Sequence, residues 1–400
     1  MAAIQSDAAP RDRLPYWFSA GHLCIDWPFG ALYMIAPAAG LSFGWSPAQV
    51  GLLLTIQSIG ASLAYLPAGL LMDRVSNRGR ILMSTFFWVS FGYILASYAQ
   101  GFWPLAILMA VASMGDAAWH PMATGILVKA APGQRARVLG IHAIGGAMAG
   151  VFAPLFASHL LDHGLFGMAL DWRDTLIVVV LPTAVMGFLF LIHVSRQVPR
   201  VEPGTVARPD FRGLIRDWST PFGAGLVAMM VLYNLGLIGA TAMTPLFLQT
   251  DQGMDVWQAG QIFAGVLLVG AVLQPRLGRL ADEVGRRPLI FAAAILSAIG
   301  GVIVYLSTDT YWIVGGLVLC LGALTSVRSV VLACAVDLSG RSEATTLGIA
   351  FAVLDGVGAF GAVLAGLIGE TDLSRAYLMT AVCAGAAGIV AVMLPRRQSR

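Results

Sequence analysis

Four titratable residues stand in two matching pairs, His22 with Asp26 and Asp116 with His120. The members of each pair are four positions apart, so they share one face of any helix that contains them. An imidazole facing a carboxyl group can take up and release a proton, because histidine titrates near neutral pH. If the two pairs meet, they could relay protons, and His142 could extend that relay.

The same residue types allow two other interpretations. Two histidines and two aspartates also form a ligand set for a divalent metal ion. A histidine or aspartate within a membrane helix can instead bond to a neighbouring backbone carbonyl group and only stabilise packing. Proton coupling is our first interpretation, and the other two stay open.

A second set of polar residues lies in the other half of the chain. Arg328 could anchor an anionic substrate, because a guanidinium binds carboxylate, phosphate or phosphonate through two parallel hydrogen bonds. Arg328 could equally form a standing ion pair with Asp355 that only joins two helices. Further polar or aromatic residues that could line a substrate cavity are Tyr33, Gln57, Trp119, Tyr233 and Asn234.

The composition indicates which surroundings must position these residues. Hydrophobic residues make up 58% of the chain and charged residues 11%, with a mean hydropathy of +0.79. A soluble domain is nearer about half apolar and a quarter charged, so the excess predicts a lipid environment. The four cysteines fall inside apolar segments and form no Cys-x-x-Cys pair. We expect them to be apolar fillers, and we expect no cofactor and no resident metal.

Twelve segments are long enough to span a bilayer, which takes about 20 mostly apolar residues. They predict an all-α membrane protein with twelve transmembrane helices. The predicted spans are 16–39, 47–72, 81–99, 103–129, 138–162, 173–195, 219–248, 257–281, 288–306, 311–336, 343–369 and 374–394.

Few charged residues fall deep inside these spans. Asp26 lies about ten residues into span 1, so about 15 Å deep at 1.5 Å per residue. Asp116 and Asp355 lie near the middle of spans 4 and 11, and Arg328 lies in span 10. Charges at this depth are costly and are therefore candidates for function.

The basic residues are distributed unequally between the two faces. With twelve spans, all of the 24 lysines and arginines except Arg173, Arg328 and Arg375 lie on the face that holds both termini. Such an excess marks the cytoplasmic side. We therefore expect both termini in the cytoplasm and the chain in the inner (cytoplasmic) membrane of a prokaryote.

The run Gly69–Arg78 is repeated at Gly278–Arg287, 209 positions later, and each copy closes an apolar segment with Gly-x-x-x-Asp. Matches at one offset indicate a duplicated half-chain. The repeat divides the chain into a six-helix bundle at 1–195, a cytoplasmic linker at 196–217 and a second six-helix bundle at 218–400.

Two pseudo-symmetric six-helix bundles with this repeated loop resemble the major facilitator superfamily, over essentially the whole chain. The resemblance implies a secondary active transporter that works by alternating access and is not an enzyme. It also implies that the loop is a gate, and charge pairs at a helix joint can indeed form in one state and break in another. The gating residues would be Gly69, Asp73, Arg74, Arg78, Gly278, Asp282, Arg286 and Arg287.

Within the superfamily, the chain is similar to efflux carriers of the fosmidomycin-resistance type. It departs from other drug–proton antiporters at Val111 of span 4, where they usually carry arginine, and at Ala153 of span 5, where they carry glycine. The motifs that carry the similarity are His22-x-x-x-Asp26, His120-Pro121 and Gly145-Gly146 through Pro154.

The sequence contains no nucleotide-binding loop, so an ion gradient must drive transport. We expect proton-coupled export of a small organic anion or amphiphilic compound. The alternatives are proton-coupled import of a small organic anion and transport of a divalent metal. The expected partners are a small-molecule substrate, protons and the lipid bilayer, without nucleic acid, and we expect the chain to act as a monomer.

Overall fold

The computed structural model describes residues 13–131, 133–198, 211–338 and 352–394. The described residues of the first half form six helices: α1 (Leu14–Phe43), α2 (Pro47–Arg74), α3 (Arg78–Ser97), α4 (Phe102–Ala130), α5 (Arg135–His163) and α6 (Trp172–Val194). The second half contains α7 (Pro221–Thr250), α8 (Val256–Val284), α9 (Arg286–Leu306), α10 (Thr310–Cys334), α11 (Asp355–Ile368) and α12 (Ser374–Met393). Helical turns continue from α10 to Leu338.

These helices confirm the predicted fold class and span order. Within the described residues, each predicted span end lies within four residues of a helix end. The predicted start of span 11, at 343, lies outside the described residues. Ten of the helices are long and apolar enough to cross a membrane. The 30-residue α1 is interrupted by polar side chains, and α11 is described only in part.

The segment predicted as a linker, 196–217, contains regular structure at its end. A short helix, Phe211–Trp218, leads into α7. Its apolar residues, Phe211, Leu214, Ile215 and Trp218, follow the i, i+3, i+4, i+7 pattern of one helix face.

The duplicated sequence appears again in the local structure of the two halves. Gly44 ends α1 with φ +69°, and its counterpart Gly253 follows α7 with φ +64°. The next helix begins in both halves after a side chain that caps it, Ser46 before α2 and Asp255 before α8. These caps satisfy backbone N–H groups that a helix start leaves without partners.

Each half is held together by close helix packing, chiefly of α1 on α5, α2 on α4, and α12 on α9 and α7. Because α1 begins and α12 ends on the same side of the bundle, we call that side the terminal face and the other the opposite face. The halves contact each other through α2 against α11 and α5 against α8.

The two contacts between the halves close the opposite face. Gly51 near the start of α2 lies so near the Ala362 backbone of α11 that an added Cβ atom would overlap it. Its counterpart in the repeat, Gly260 of α8, is packed as tightly on Ser158 of α5. Both glycines therefore allow close approach of helices from different halves. One turn after Gly51 along α2, the Thr55 hydroxyl donates to the Ala359 carbonyl oxygen at 2.8 Å.

On the terminal side of this closure, two described residues, one from each half, are exposed. Gly125 of α4 is exposed, and a Cβ atom there would meet no atom within 4 Å. The Arg328 side chain of α10 is 48% exposed.

Candidate functional site

The first part of the candidate site is built on His22 of α1. Its Nδ1 atom lies 2.8 Å from the backbone carbonyl oxygen of His142 on α5. Its Nε2 atom lies 3.1 Å from Asp26 Oδ2, one helical turn along α1. His22 therefore joins the Asp26 carboxyl group to the neighbouring helix.

The second predicted pair, on α4, faces the same carboxyl group. His120 Nε2 lies 3.5 Å from Asp26 Oδ1 and 3.9 Å from Asp116 Oδ1. The Asp116 carboxyl group also faces that of Asp26. Asp116 is buried, whereas the side chains of Asp26 and His120 are about one fifth exposed. The structure thus brings the two pairs, predicted separately from their spacing, into one cluster.

Hydrogen-bond chemistry determines where protons stand in the His22–Asp26 contact. A carbonyl oxygen can only accept, so His22 Nδ1 carries the hydrogen donated to His142. Nε2 then carries a hydrogen only when the ring is a cation. The contact with Asp26 therefore needs one more proton, either on the imidazole beside a carboxylate or on a carboxyl group that donates to the neutral ring. In both forms the pair holds one exchangeable proton.

Rings from two neighbouring helices, α4 and α5, pack around His22. The His142 ring stacks on it with centroids 4.2 Å apart and planes 19° apart. Trp119 stacks on His142 at 5.2 Å and is fully buried. His142 was predicted to extend a proton relay. In the structure its backbone carbonyl oxygen accepts from His22, and its ring stacks on the His22 ring. Trp119, predicted to line a substrate cavity, lies behind the cluster as packing.

Two glycines of α5 provide the space for the His22 ring. A Cβ atom at Gly145 would overlap the Ser19 carbonyl oxygen of α1. A Cβ atom at Gly146 would stand 2.5 Å from His22 Nε2. By contrast, Gly150, one turn further along α5, has no atom within 4 Å of such a position. The Gly145-Gly146 pair thus has a specific function in packing, which is to let α1 and α5 approach at the cluster.

The second part of the site joins the two halves of the molecule through Asp355. Arg328 Nη2 of α10 donates to Asp355 Oδ1 at 3.0 Å. The Tyr65 hydroxyl of α2 donates to Asp355 Oδ2 at 2.9 Å. The Tyr65 ring also lies 6.3 Å from the His120 ring, so one side chain contacts both parts of the site. Tyr33 and Tyr233 lie within electrostatic range of Arg328.

Tyr65 is the residue that the sequence analysis missed. A tyrosine hydroxyl inside a span needs a hydrogen-bond partner, and that requirement was the available signal. Which partner it finds depends on the register between α2 and α11, because the two helices belong to different halves.

The remaining predicted substrate residues fall into two groups. Tyr33 is half-buried and packs on Phe263 of the other half, 5.9 Å away between ring centroids. The others are fully buried and join helices: Gln57 donates to Ser113 Oγ at 2.8 Å, and Tyr233 donates to the Leu324 carbonyl oxygen at 2.6 Å. Asn234 is buried beside Tyr233 on α7. The structure therefore places Arg328, Asp355 and Tyr33 together, and Gln57, Tyr233 and Asn234 in packed surroundings.

The predicted gating residues of the first repeat lie where α2 meets α3 on the terminal face. Arg78 is buried, and its Nε donates to the Met72 carbonyl oxygen at 2.9 Å. Arg74 is exposed at the end of α2, and Gly69 faces Pro121 of α4 with room for a side chain. The side chain of Asp73 lies outside the described residues.

The second repeat uses its arginines in the same way, on backbone carbonyl groups near helix ends. Arg286 Nη1 donates to Ala333 at 2.8 Å, and Arg287 Nη1 donates to Leu394 at 2.5 Å. Both line a cavity of about 350 Å³ together with the exposed Asp282. A Cβ atom added at Gly278, one turn before Asp282, would meet no atom within 4 Å.

Comparison with known sequences decides the family. The model of the Major Facilitator Superfamily matches residues 18–363 and again 258–400. The chain belongs to the major facilitator superfamily. Members are transporters rather than enzymes, which confirms both the resemblance and the prediction that the chain has no enzymatic function.

Relatives within the superfamily carry several transport names. A putative metabolite transport protein of Haemophilus influenzae is 27% identical over 271 residues, which are 65% of this chain and 64% of that protein. A probable sugar efflux transporter of Helicobacter acinonychis is 27% identical over 168 residues, 42% of this chain and 41% of that protein. A probable 4-methylmuconolactone transporter of Cupriavidus pinatubonensis is 22% identical over 304 residues, 74% of this chain and 69% of that protein. The chain thus spans less than two thirds of the length of the first two.

Solved structures of the superfamily share the fold. A bacterial homologue of the human lysosomal transporter Spinster, in an inward-facing and unoccupied conformation, has a TM-score of 0.78 and 17% identity, over 97% of this chain and 96% of that one. The nucleoside transporter NupG has a TM-score of 0.74 and 13% identity, over 95% of this chain and 98% of that one. Both support the twelve-helix fold, and neither identifies a substrate.

The packing of Gly146 on His22 gives a testable prediction. Gly146→Ala should lower the free energy of unfolding by about 1–3 kcal/mol, because the added methyl group meets the His22 ring. Gly150→Ala is the matched control and should be neutral or slightly stabilising, because its methyl group enters open space. Thermal unfolding of the purified variants measures both.

A double variant shows whether His22 is the cause. In a His22→Ala background, Gly146→Ala should lose most of its effect, because the clashing ring is gone. An equal loss of stability with and without the His22 ring would contradict the arrangement described.

Proposed function

We propose that the chain is a secondary active transporter that couples movement of a small organic anion to movement of protons, by alternating access between its halves. One observation carries the proposal: the Asp26 carboxyl group lies between His22 and His120, and its side chain is about one fifth exposed. We further propose that the terminal face is cytoplasmic, that the membrane is a prokaryotic inner membrane, and that the chain acts as a monomer.

The His22–Asp26 contact supports proton coupling because it depends on its proton. Loss of that proton leaves a carboxylate facing the lone pair of His22 Nε2, and the two repel. His22 is also bonded to α5 through its Nδ1 atom, and His120 links the same carboxyl group to α4. Uptake or release of one proton would therefore change how three helices of the first half pack. A two-state element of this kind is what coupled transport requires.

The Arg328–Asp355 pair supports an anion as the substrate. An anion that binds the Arg328 guanidinium must replace Asp355 as its partner. The displaced carboxylate would then stand beside a second negative charge inside the membrane, which is costly unless it binds a proton. Anion binding and proton uptake by Asp355 therefore favour each other, by thermodynamic linkage.

This linkage favours co-transport over the exchange expected from the sequence. Proton and anion would load together and cross together, and an inward proton gradient would then drive import. Export by exchange is the second candidate. It is supported by the separation of the two parts of the site, since protons at Asp26 and an anion at Arg328 could load independently.

We also propose that the repeated loops form the gate on the terminal face. Arg78 binds the Met72 carbonyl oxygen at the joint between α2 and α3. Arg286 and Arg287, at the joint between α8 and α9, bind carbonyl oxygens at the ends of α10 and α12. These contacts would have to change when the terminal face closes, because the joined helix ends move with it.

The coupling role of Asp26 can be tested in proteoliposomes with an imposed inward pH gradient and a panel of radiolabelled small carboxylates and phosphonates. Asp26→Asn should abolish pH-driven accumulation while leaving downhill exchange, because the amide keeps the shape and cannot exchange a proton. Asp162→Asn, near the opposite end of α5, is the matched control and should accumulate like the wild type. Unchanged pH-driven accumulation in Asp26→Asn would show that Asp26 has only a structural function.

The anion anchor gives a second prediction. Arg328→Lys should weaken anion affinity about tenfold, equivalent to about 1.4 kcal/mol, because an ammonium group cannot form two parallel hydrogen bonds. Asp355→Asn should leave binding intact or tighter, since Arg328 loses a competitor, but its transport should no longer respond to pH.

Two measurements decide whether Arg328 anchors the anion or only forms an ion pair with Asp355. They are the melting temperature and the anion affinity, each measured for both single variants and for a variant that lacks both charges. If the pair is only structural, each single change destabilises the protein, the double change restores stability, and affinity stays undiminished in all three.

The direction of accumulation in the wild type distinguishes co-transport from exchange, because co-transport concentrates the anion on the alkaline side and exchange concentrates it on the acidic side.

A further inference from the structure

His22, Asp26 and His120 together present three ligand atoms to one small space. We infer that these side chains form a binding site for a divalent transition-metal ion of the Zn²⁺ type. Two imidazole nitrogens with carboxylate oxygen are ligands that zinc accepts readily. The site shares its residues with the proposed proton cluster, but the binding itself does not depend on the proposed function.

The separations between the ligand atoms suit a tetrahedral ion. Ligand bonds of about 2.0–2.1 Å around zinc place neighbouring ligand atoms about 3.3 Å apart. The two measured separations are 3.1 Å, from His22 Nε2 to Asp26 Oδ2, and 3.5 Å, from His120 Nε2 to Asp26 Oδ1. These two separations use different oxygens of Asp26, and one ligand atom from each of the three residues lies within 4.8 Å of the other two.

The surroundings already hold His22 as a metal ligand must be held. Metal-binding histidines usually donate their second ring N–H to a carbonyl or carboxylate oxygen, which fixes the tautomer and the ring orientation. His22 Nδ1 donates to the His142 carbonyl oxygen in this way, so Nε2 is the nitrogen that offers a lone pair. Gly146, which leaves just enough room for the ring, keeps Nε2 pointed at Asp26.

Two buried carboxyl oxygens provide an independent indication of a ligand. Asp26 Oδ1 and Asp116 Oδ1 are inaccessible, and neither has a hydrogen-bond partner among the described residues. A buried oxygen without a partner is costly, and a cation would satisfy both. Asp116 Oδ1 lies 3.9 Å from His120 Nε2, beside the three-residue group rather than within it, so its negative charge would favour a bound cation.

An ion would reach the cluster through its exposed members. The side chains of His120 and Asp26 are about one fifth exposed, whereas Asp116 is buried. A bound ion would occupy the lone pairs that the proposed proton transfer uses. Metal binding would therefore hold α1 and α4 together and arrest a proton-coupled cycle.

Zn²⁺ titration by calorimetry tests the site, on the full chain in detergent after treatment with a chelator. The wild type should bind one Zn²⁺ ion per chain, and His22→Ala and His120→Ala should each weaken that binding at least tenfold. His163→Ala is the matched control and should leave it unchanged. His163 belongs to a separate histidine pair with His159, whose rings stack at 4.9 Å on the same helix, α5.

Co²⁺ provides a spectroscopic check on the same samples, because a four-coordinate site with imidazole ligands gives strong visible absorption. That absorption should be present in the wild type and His163→Ala and absent in His120→Ala. Melting curves without metal establish that each variant is folded, and His22→Ala replaces His120→Ala if the latter does not fold. Asp116→Asn should weaken binding but keep a one-to-one stoichiometry, because three ligands remain.

The inference is overturned if the wild type binds no Zn²⁺ more tightly than the His22→Ala and His120→Ala variants do. It is also overturned if the bound ion is lost in His163→Ala instead, which would place it at the opposite face. Either result leaves proton coupling untouched, since that is tested by pH-driven accumulation in Asp26→Asn. Conversely, tight Zn²⁺ binding by the wild type, together with unchanged pH-driven anion accumulation in Asp26→Asn, would support the metal site and not proton coupling.

Discussion

The site depends on how the negative charge of Asp26 is compensated inside a membrane helix. A carboxylate at this depth is unstable unless a cation or proton accompanies it. Here the compensation is shared, because imidazoles from α1 and α4 approach the two oxygens of one carboxyl group. The orientation of His22 is set in turn by a carbonyl oxygen of α5. Three helices are thus held in register by one group whose charge can change.

Close helix packing makes this arrangement possible, and the duplicated sequence places such packing at equivalent positions. Gly145 and Gly146 bring α5 against α1 at the cluster, while Gly51 and its repeat counterpart Gly260 bring the two halves together on the opposite face. Close approach of helices, both within the first half and between the halves, therefore depends on glycines.

Much of the fold and part of the site could be predicted from the sequence. Span positions follow from the length of the apolar runs, and the pairs His22–Asp26 and Asp116–His120 follow from helical spacing. Hydropathy alone could not determine which way a residue faces in a helix that is apolar all round. For that reason Gln57, Tyr233 and Asn234 were predicted to line a cavity, although they lie in packed surroundings.

Contacts between the halves were also beyond prediction, because they depend on the conformational state rather than on local sequence. The hydrogen bond from Tyr65 to Asp355 is the clearest case, since it crosses from α2 to α11. The carbonyl oxygen that accepts from His22 belongs to the backbone, so no residue type could have indicated it. The Arg328–Asp355 contact was expected as one alternative, and the structure adds that the Arg328 side chain is about half exposed.

The central claim is that His22 and Asp26 share one exchangeable proton. Infrared difference spectroscopy between acidic and alkaline pH, on wild-type protein and Asp26→Asn in lipid, tests it without any substrate. The account predicts carboxyl and imidazole bands that change together with pH in the wild type and are both missing from the Asp26→Asn difference spectrum. Identical difference spectra for the two proteins would contradict it.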